Sequence, residues 1–184
     1  LLSRNQLEDP GIGLVCNRLQ NLAKDKKLEN LKTWHFQDNN LGVEGAISFG
    51  EALRVCHSLT EVDASHNYLG PMPTNQMNTK GMKRIAQAIR HHPNLTSLDL
   101  TNTKVGDQGV ELLCEHLVKN EKLEVLNLAR NQIGAGGMGK LLEVYKEHKT
   151  LATIDLEHNA LDDDTAALEA LEEIKKVCEI RTAE

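Results

Sequence analysis

Apolar residues recur along this chain at fixed offsets, and the whole set of offsets repeats. Leu31, Trp34, Phe36 and Leu41 are followed by Leu59, Val62, Ala64 and Leu69, and then by Leu95, Leu98, Leu100 and Val105. Leu123, Leu126, Leu128 and Ile133 form a fourth set, and Leu151, Ile154, Leu156 and Leu161 a fifth. The chain opens on the tail of another copy, Leu2, Asn5 and Leu7. Before the last apolar slot of each set stands a polar one, filled by Asn5, Asn39, Asn67, Thr103, Asn131 and Asn159. Apolar residues two apart with polar ones between them predict a short strand. Six residues after the polar slot comes a glycine (Gly45, Gly109, Gly137), with apolar residues four and eight further on. These are Phe49 and Leu53, Leu113 and Leu117, Leu141 and Tyr145. The i, i+4 spacing places them on one helix face. Each unit therefore runs strand, ascending loop, helix, return loop. The polar slots lie 34, 28, 36, 28 and 28 residues apart, so the basic unit is 28 residues.

The pattern L-x-x-L-x-L-x-x-N-x-L is the signature of a leucine-rich repeat. The 28-residue form, with a glycine-containing loop leading into a long helix, resembles the ribonuclease-inhibitor-like class over essentially the whole chain. That resemblance implies an α/β solenoid, a horseshoe fragment with a parallel β-sheet on the concave face and α-helices on the convex face. It also implies a binding surface. Residues 1–184 are expected to form a single repeat domain of about six repeats, closed by a capping helix over 162–180. In that helix three Asp suit the N-terminus and Lys175 and Lys176 the C-terminus. Leu168, Leu171, Ile174 and Val177 or Cys178 are expected to make its buried stripe. The chain starts without Met and in mid-repeat, which is the appearance of a piece of a larger protein.

Two units are longer than 28 residues. Six extra residues fall around Leu22–Asn30, and eight extra, roughly Pro71–Asn78, fall in the ascending loop after the third strand. Insertions of this kind map to loops on one face, often the binding face. Pro71, Met72, Pro73, Asn75 and Met77 are therefore candidate partner contacts. The plain alternative is a tolerated surface insertion, since lengthening a loop costs little.

Residues between the leucine slots point to the concave side. The candidates for partner binding there are His35, Asp38, Glu61, Asp63, His66, Asp99, Asn127, Arg130, Asp155 and Glu157. The middle of this surface is small and acidic, with basic residues only near its edge. Asp63 and Asp99 are expected on neighbouring strands about 4.8 Å apart, where their charges repel unless a cation or a basic partner segment lies between them. The alternative is a solvated polar face, which every horseshoe has. Asn39, Asn67, Asn131 and Asn159 are expected to bury their amides and hydrogen-bond the turn backbone, because a chain reversal leaves donors and acceptors to satisfy. The turn at Thr103 is expected to be the least supported.

Composition narrows the choice of partner. The net charge is −6, which disfavours a nucleic-acid backbone. No apolar run of 18 residues is present, so no membrane span is expected. Aromatic residues make up only 3% of the chain, and Trp34 and Phe36 occupy core slots rather than forming a ligand platform. Cys16, Cys56, Cys114 and Cys178 contain no C-x-x-C pair and are expected to be reduced, which places the protein in the cytoplasm.

Gly134, Gly136, Gly137 and Gly139 follow a strand and open a helix, as a dinucleotide-binding loop does. The repeat already accounts for Gly134 and Gly137, and no cofactor is expected. His66 and His158 share a column but lie three repeats apart, roughly 14 Å, too far to ligate one zinc ion. His91 and His92 fall in a return loop and are expected to be solvated. No nucleophile, base and orienting group converge, so the expected function is non-enzymatic. It is a protein–protein interaction scaffold within a larger protein, binding through the concave face and ascending loops. The alternative is a GTPase-activating regulator resembling Ran GTPase-activating protein.

Overall fold

The computed structural model describes residues 2–70, 79–160 and 165–182, the last five of these by backbone alone. Helix α1 (Glu8–Lys24) is followed by β1 (Thr33–His35), α2 (Val43–Leu53), β2 (Glu61–Asp63), α3 (Lys80–Ile89) and β3 (Ser97–Asp99). Then come α4 (Gly106–Leu117), β4 (Val125–Asn127), α5 (Ala135–Glu147), β5 (Thr153–Asp155) and α6 (Thr165–Thr182). The strands form one parallel sheet in chain order β1-β2-β3-β4-β5, and each helix packs on the next. This is the α/β leucine-rich repeat solenoid that the period implies.

Each strand is only three residues long, and its central residue alone turns inward. Trp34, Val62, Leu98, Leu126 and Ile154 are all buried and lie in one register. The ladder runs on past the strands: Phe36 N donates to Asp63 O, Asp38 N to Ser65 O, and the same pairs recur in later units. At the other edge Leu2 N and Arg4 N donate to His35 O and Gln37 O, so the opening residues add a further rung beside β1. From the helices come Phe49, Leu53, Leu113, Leu117, Leu141 and Tyr145, every one buried. Burying each such side chain contributes about 1.5–3 kcal/mol. Trp34, Phe36 and Phe49 form an aromatic trio with ring centroids 4.9–5.5 Å apart, filling slots that leucine fills elsewhere.

The polar slots hold the turns together across units. Asn67 Oδ1 accepts from Asn39 N and Leu41 N of the preceding unit, and Asn67 Nδ2 donates to Ala64 O and Phe36 O. Asn131 and Asn159 repeat the arrangement for Thr103 and Val105, and for Asn131 and Ile133. Asn39, Asn67 and Asn131 are buried, whereas Asn159 at the last unit is only half-buried. Thr103 breaks the pattern. Its hydroxyl donates to Leu100 O and Asn131 Oδ1, so Asn67 N and Leu69 N lack the carboxamide acceptor that their counterparts enjoy.

The six extra residues before Leu31 lengthen α1 to 17 residues and add the turn that follows it. The capping helix differs from expectation. It is described over Thr165–Thr182, so the expected start at 162 lies outside the described residues, as does the side chain of Cys178. Its buried face is Ala167, Ala170 and Ile174, with Leu171 and Val177 partly covered, while Leu168 is 45% exposed. Ala167 and Ala170 thus take the places expected of Leu168 and Leu171, and the helix packs on α5. A Lys146–Glu173 ion pair of 3.8 Å crosses that junction.

Candidate functional site

All the strand candidates lie on one surface. The register aligns His35, Asp63, Asp99, Asn127 and Asp155 in a single row across the sheet, with Glu61 in the row beside it. Asp63 and Asp99 are direct neighbours, as the period requires. The structure also gives this row a local role that the sequence reading missed. Asp63 Oδ1 accepts from Ser65 N, Asp99 Oδ1 from Thr101 N, and Asp155 Oδ1 from Glu157 N, at 2.8–3.0 Å. Asn127 Oδ1 does the same with Ala129 N at 3.0 Å. These are Asx turns that guide the chain out of each strand. One oxygen of each of these carboxylates therefore serves the turn. A neutral amide serves it equally well, so the charge itself is not needed for folding. Among the described residues none of the three aspartates forms an ion pair, and Glu61 hydrogen-bonds the His35 ring at 3.0 Å.

The rim above the strands has a different character. In the ascending loops Arg4, Asp38, His66, Asn102, Arg130 and His158 all have φ between 53° and 59°. Gln6, Asn40, Lys104 and Gln132, two residues on, are left-handed as well. The loop thus turns twice in four of the six units, Tyr68 and Ala160 lacking the second left-handed residue. At the N-terminal end Arg4 and Asp38 pair loosely at 3.8 Å. Glu8, Asp9, Asn40 and the exposed Tyr68 border a hollow there. At the C-terminal end His66, Asn102, Lys104, Arg130, Gln132 and His158 border a shallow groove of about 400 Å³, and none of its described lining residues is acidic. Lys104 and Gln132 were not among the expected contacts. The signal for them was their place two residues beyond the rim column, legible only once the double left-handed turn is known. The inserted-loop candidates Pro71, Met72, Pro73, Asn75 and Met77 lie outside the described residues.

The glycine run before α5 already holds an anion, and it is internal. Asp107 Oδ1 accepts from Gly134 N at 2.7 Å, and a Cβ on Gly137 would fall 2.7 Å from the same oxygen. Asp9 makes the equivalent bond to Gly42 N at 2.6 Å. The carboxylate of one unit thus caps the helix of the next, at the place where a phosphate would sit. In the return loops His92 is buried, correcting the expectation that it is solvated, whereas His91 is exposed. His92 Nδ1 accepts from Leu95 N at 3.0 Å, as Asn120 Oδ1 accepts from Leu123 N at 2.7 Å. Burial, opposed by the backbone at Cys56, lowers the His92 pKa to about 4. Cys16, Cys56 and Cys114 are free and buried, and burial pushes their thiols up to about 12, 11 and 12. Among the described residues no helix is long and apolar enough to cross a membrane, and no group of His, Cys, Asp or Glu is placed to hold a metal ion.

Comparison with known proteins agrees with this architecture. The family described as "Leucine Rich repeat" matches residues 27–50, 91–114 and 119–142. Ribonuclease inhibitor of Mus musculus is 28% identical over 142 residues, covering 65% of this chain and 30% of the relative. NACHT, LRR and PYD domains-containing protein 13 of Homo sapiens is 27% identical over 184 residues, covering 89% of this chain and 17% of the relative. The chain thus spans under a third of the length of either relative. Among solved structures, leiomodin-1 actin-binding site 2 superposes with a TM-score of 0.72 at 15% identity, over 91% of this chain and 89% of that one. The matched repeats, the 28-residue period and the parallel stack of strand–loop–helix units show that this chain is built of leucine-rich repeats, similar in form to those of ribonuclease inhibitor.

Proposed function

We propose that this chain is a protein-recognition module that receives a basic segment of another protein on its concave strand face. The observation that carries the reading is the acidic row. Asp63, Asp99 and Asp155 commit one oxygen each to their own turns and form no ion pair among the described residues. With Glu61 and Glu157 they present one sign of charge on a rigid sheet, which steers a cationic segment toward it. Two close carboxylates on neighbouring strands favour a lysine or arginine between them. The free, buried thiols suit a reducing compartment, so we place the module in the cytosol. The inserted loop at 71–78 is the proposed flank of the site. A GTPase-activating role would rest on Arg4 and Arg130, the two arginines of the rim column. It becomes the better reading if this chain accelerates GTP hydrolysis by a small GTPase.

The test is a double substitution, Asp63→Asn/Asp99→Asn. Amides keep both Asx turns, as Asn127 shows, so the unfolding midpoint is expected to stay level or rise slightly. Affinity for a captured partner, or for an oligolysine peptide, is expected to fall roughly threefold to tenfold at low salt, mainly through a slower on-rate. Unchanged binding at low salt would move the site off the acidic face.

A further inference from the structure

We propose that the groove on the ascending-loop rim is a second recognition surface, built for an acidic protein segment. It goes beyond the concave-face reading and does not depend on it, because it uses none of the acidic row and takes the opposite charge. Arg130 and Lys104 supply the cations, and among the described residues neither forms an ion pair. The guanidinium offers a planar fork that can grip a carboxylate with two parallel hydrogen bonds, while the ammonium acts as a point charge. Asn102 Nδ2 lies 3.1 Å from His66 Nδ1. The amide donates there, so the neutral imidazole carries its proton on Nε2 and remains a donor on its far side. Gln132 and His158 add further donors along the same edge.

The geometry suits a short extended segment. His66, Asn102, Arg130 and His158 come from four successive units, so the groove spans roughly 14 Å, which four or five extended residues cover. The loop backbone beneath is fixed by ladder bonds from Asn102 N to Ala129 O and Arg130 N to Glu157 O. Little order has to be imposed on this side when a ligand arrives. A nucleic acid fits less well, because its continuous phosphates would pass beside the acidic row on the strands, and the chain carries a net charge of −6.

The experiment is fluorescence anisotropy at low salt with a labelled hexaglutamate peptide, using the chain as described. Two variants are compared: Lys104→Gln/Arg130→Gln in the groove, and Lys119→Gln/Lys122→Gln, which removes the same charge from an exposed return loop. The groove variant is expected to bind at least about fivefold more weakly with an unchanged urea midpoint, and the control within about twofold of the parent. Asp63→Asn/Asp99→Asn is expected to bind the peptide as well as the parent or better, which separates this surface from the concave one. Equal losses in both lysine and arginine variants, no measurable binding by the parent at millimolar peptide, or equally tight binding of a thymidylate hexamer would each overturn the proposal.

Discussion

Thr103 is the one residue in its column that cannot offer a carboxamide oxygen to the unit before it. Its neighbours show what is lost, since Asn131 Oδ1 alone accepts from Thr103 N and Val105 N. Thr103→Asn is therefore expected to stabilise the chain by about 0.5–1.5 kcal/mol by giving Asn67 N and Leu69 N an acceptor. A urea midpoint that stays level or falls would show that the turn there has a different geometry. His92 invites a second substitution at this scale. Folded, it is neutral, with its pKa lowered to about 4, whereas in the unfolded chain it titrates near the ordinary 6.5. The unfolded state takes up the proton first as pH falls, so this contribution is complete above about pH 6.5 and is lost toward pH 4. Asn120 fills the same structural slot without titrating. His92→Asn should thus match the parent near neutrality and outlast it by up to roughly 3 kcal/mol near pH 4, read from urea midpoints across that range. Parallel pH profiles for the two proteins would refute the assignment.

Among the elements, the helices differ in how closely they approach, and two glycines separate the cases. A Cβ at Gly50 in α2 would lie 2.7–2.8 Å from the backbone of Arg84 and Ile85 in α3, with no flexible side chain to yield. One at Gly139 in α5 would meet nothing within 4 Å. Alanine gains about 1 kcal/mol over glycine inside a helix, while overpacking costs about 1–3 kcal/mol. Gly50→Ala should therefore lose up to about 2 kcal/mol net and Gly139→Ala gain about 0.5–1 kcal/mol, both measurable by chemical denaturation. The same sign of change for both would mean that the α2–α3 contact relaxes freely. The helix faces were legible in the sequence because the i, i+4 apolar pairs after Gly45, Gly109 and Gly137 repeat without variation. The final helix has no glycine to anchor the count, and its alanines hid the buried stripe behind the more apolar Leu168. The glycine run before α5 was misleading for a different reason: its occupant, Asp107, comes from the preceding unit, 27 residues away in the chain.

At the scale of the whole molecule, a fixed period makes the position of each strand residue a matter of counting, and the acidic row could be laid out from sequence with its neighbours in order. Its chemistry could not. The Asx turns depend on the angle at which the chain leaves each strand. The rim groove depends on paired left-handed residues such as Asn102 and Lys104, which few sequences announce without glycine. Both the acidic row on the strands and the Lys104 and Arg130 side chains of the loop edge follow the stack from unit to unit. A stack of this kind is held by nearest-neighbour contacts, and its stability is a sum over units and the interfaces between them.

The amide ladder also has a direction. Wherever an asparagine fills the slot, its carboxamide oxygen accepts from backbone N–H groups of the earlier unit: Asn67 serves Asn39, Asn131 serves Thr103, and Asn159 serves Asn131, each 28 residues ahead. A ribosome delivers the chain N-terminus first. Each turn thus leaves the exit tunnel before the residue that completes it has been synthesised, and it must wait for one more repeat to emerge. Folding on the ribosome then trails synthesis by about one unit along the whole array, and a nascent chain paused in mid-repeat always presents one unfinished turn at its trailing edge.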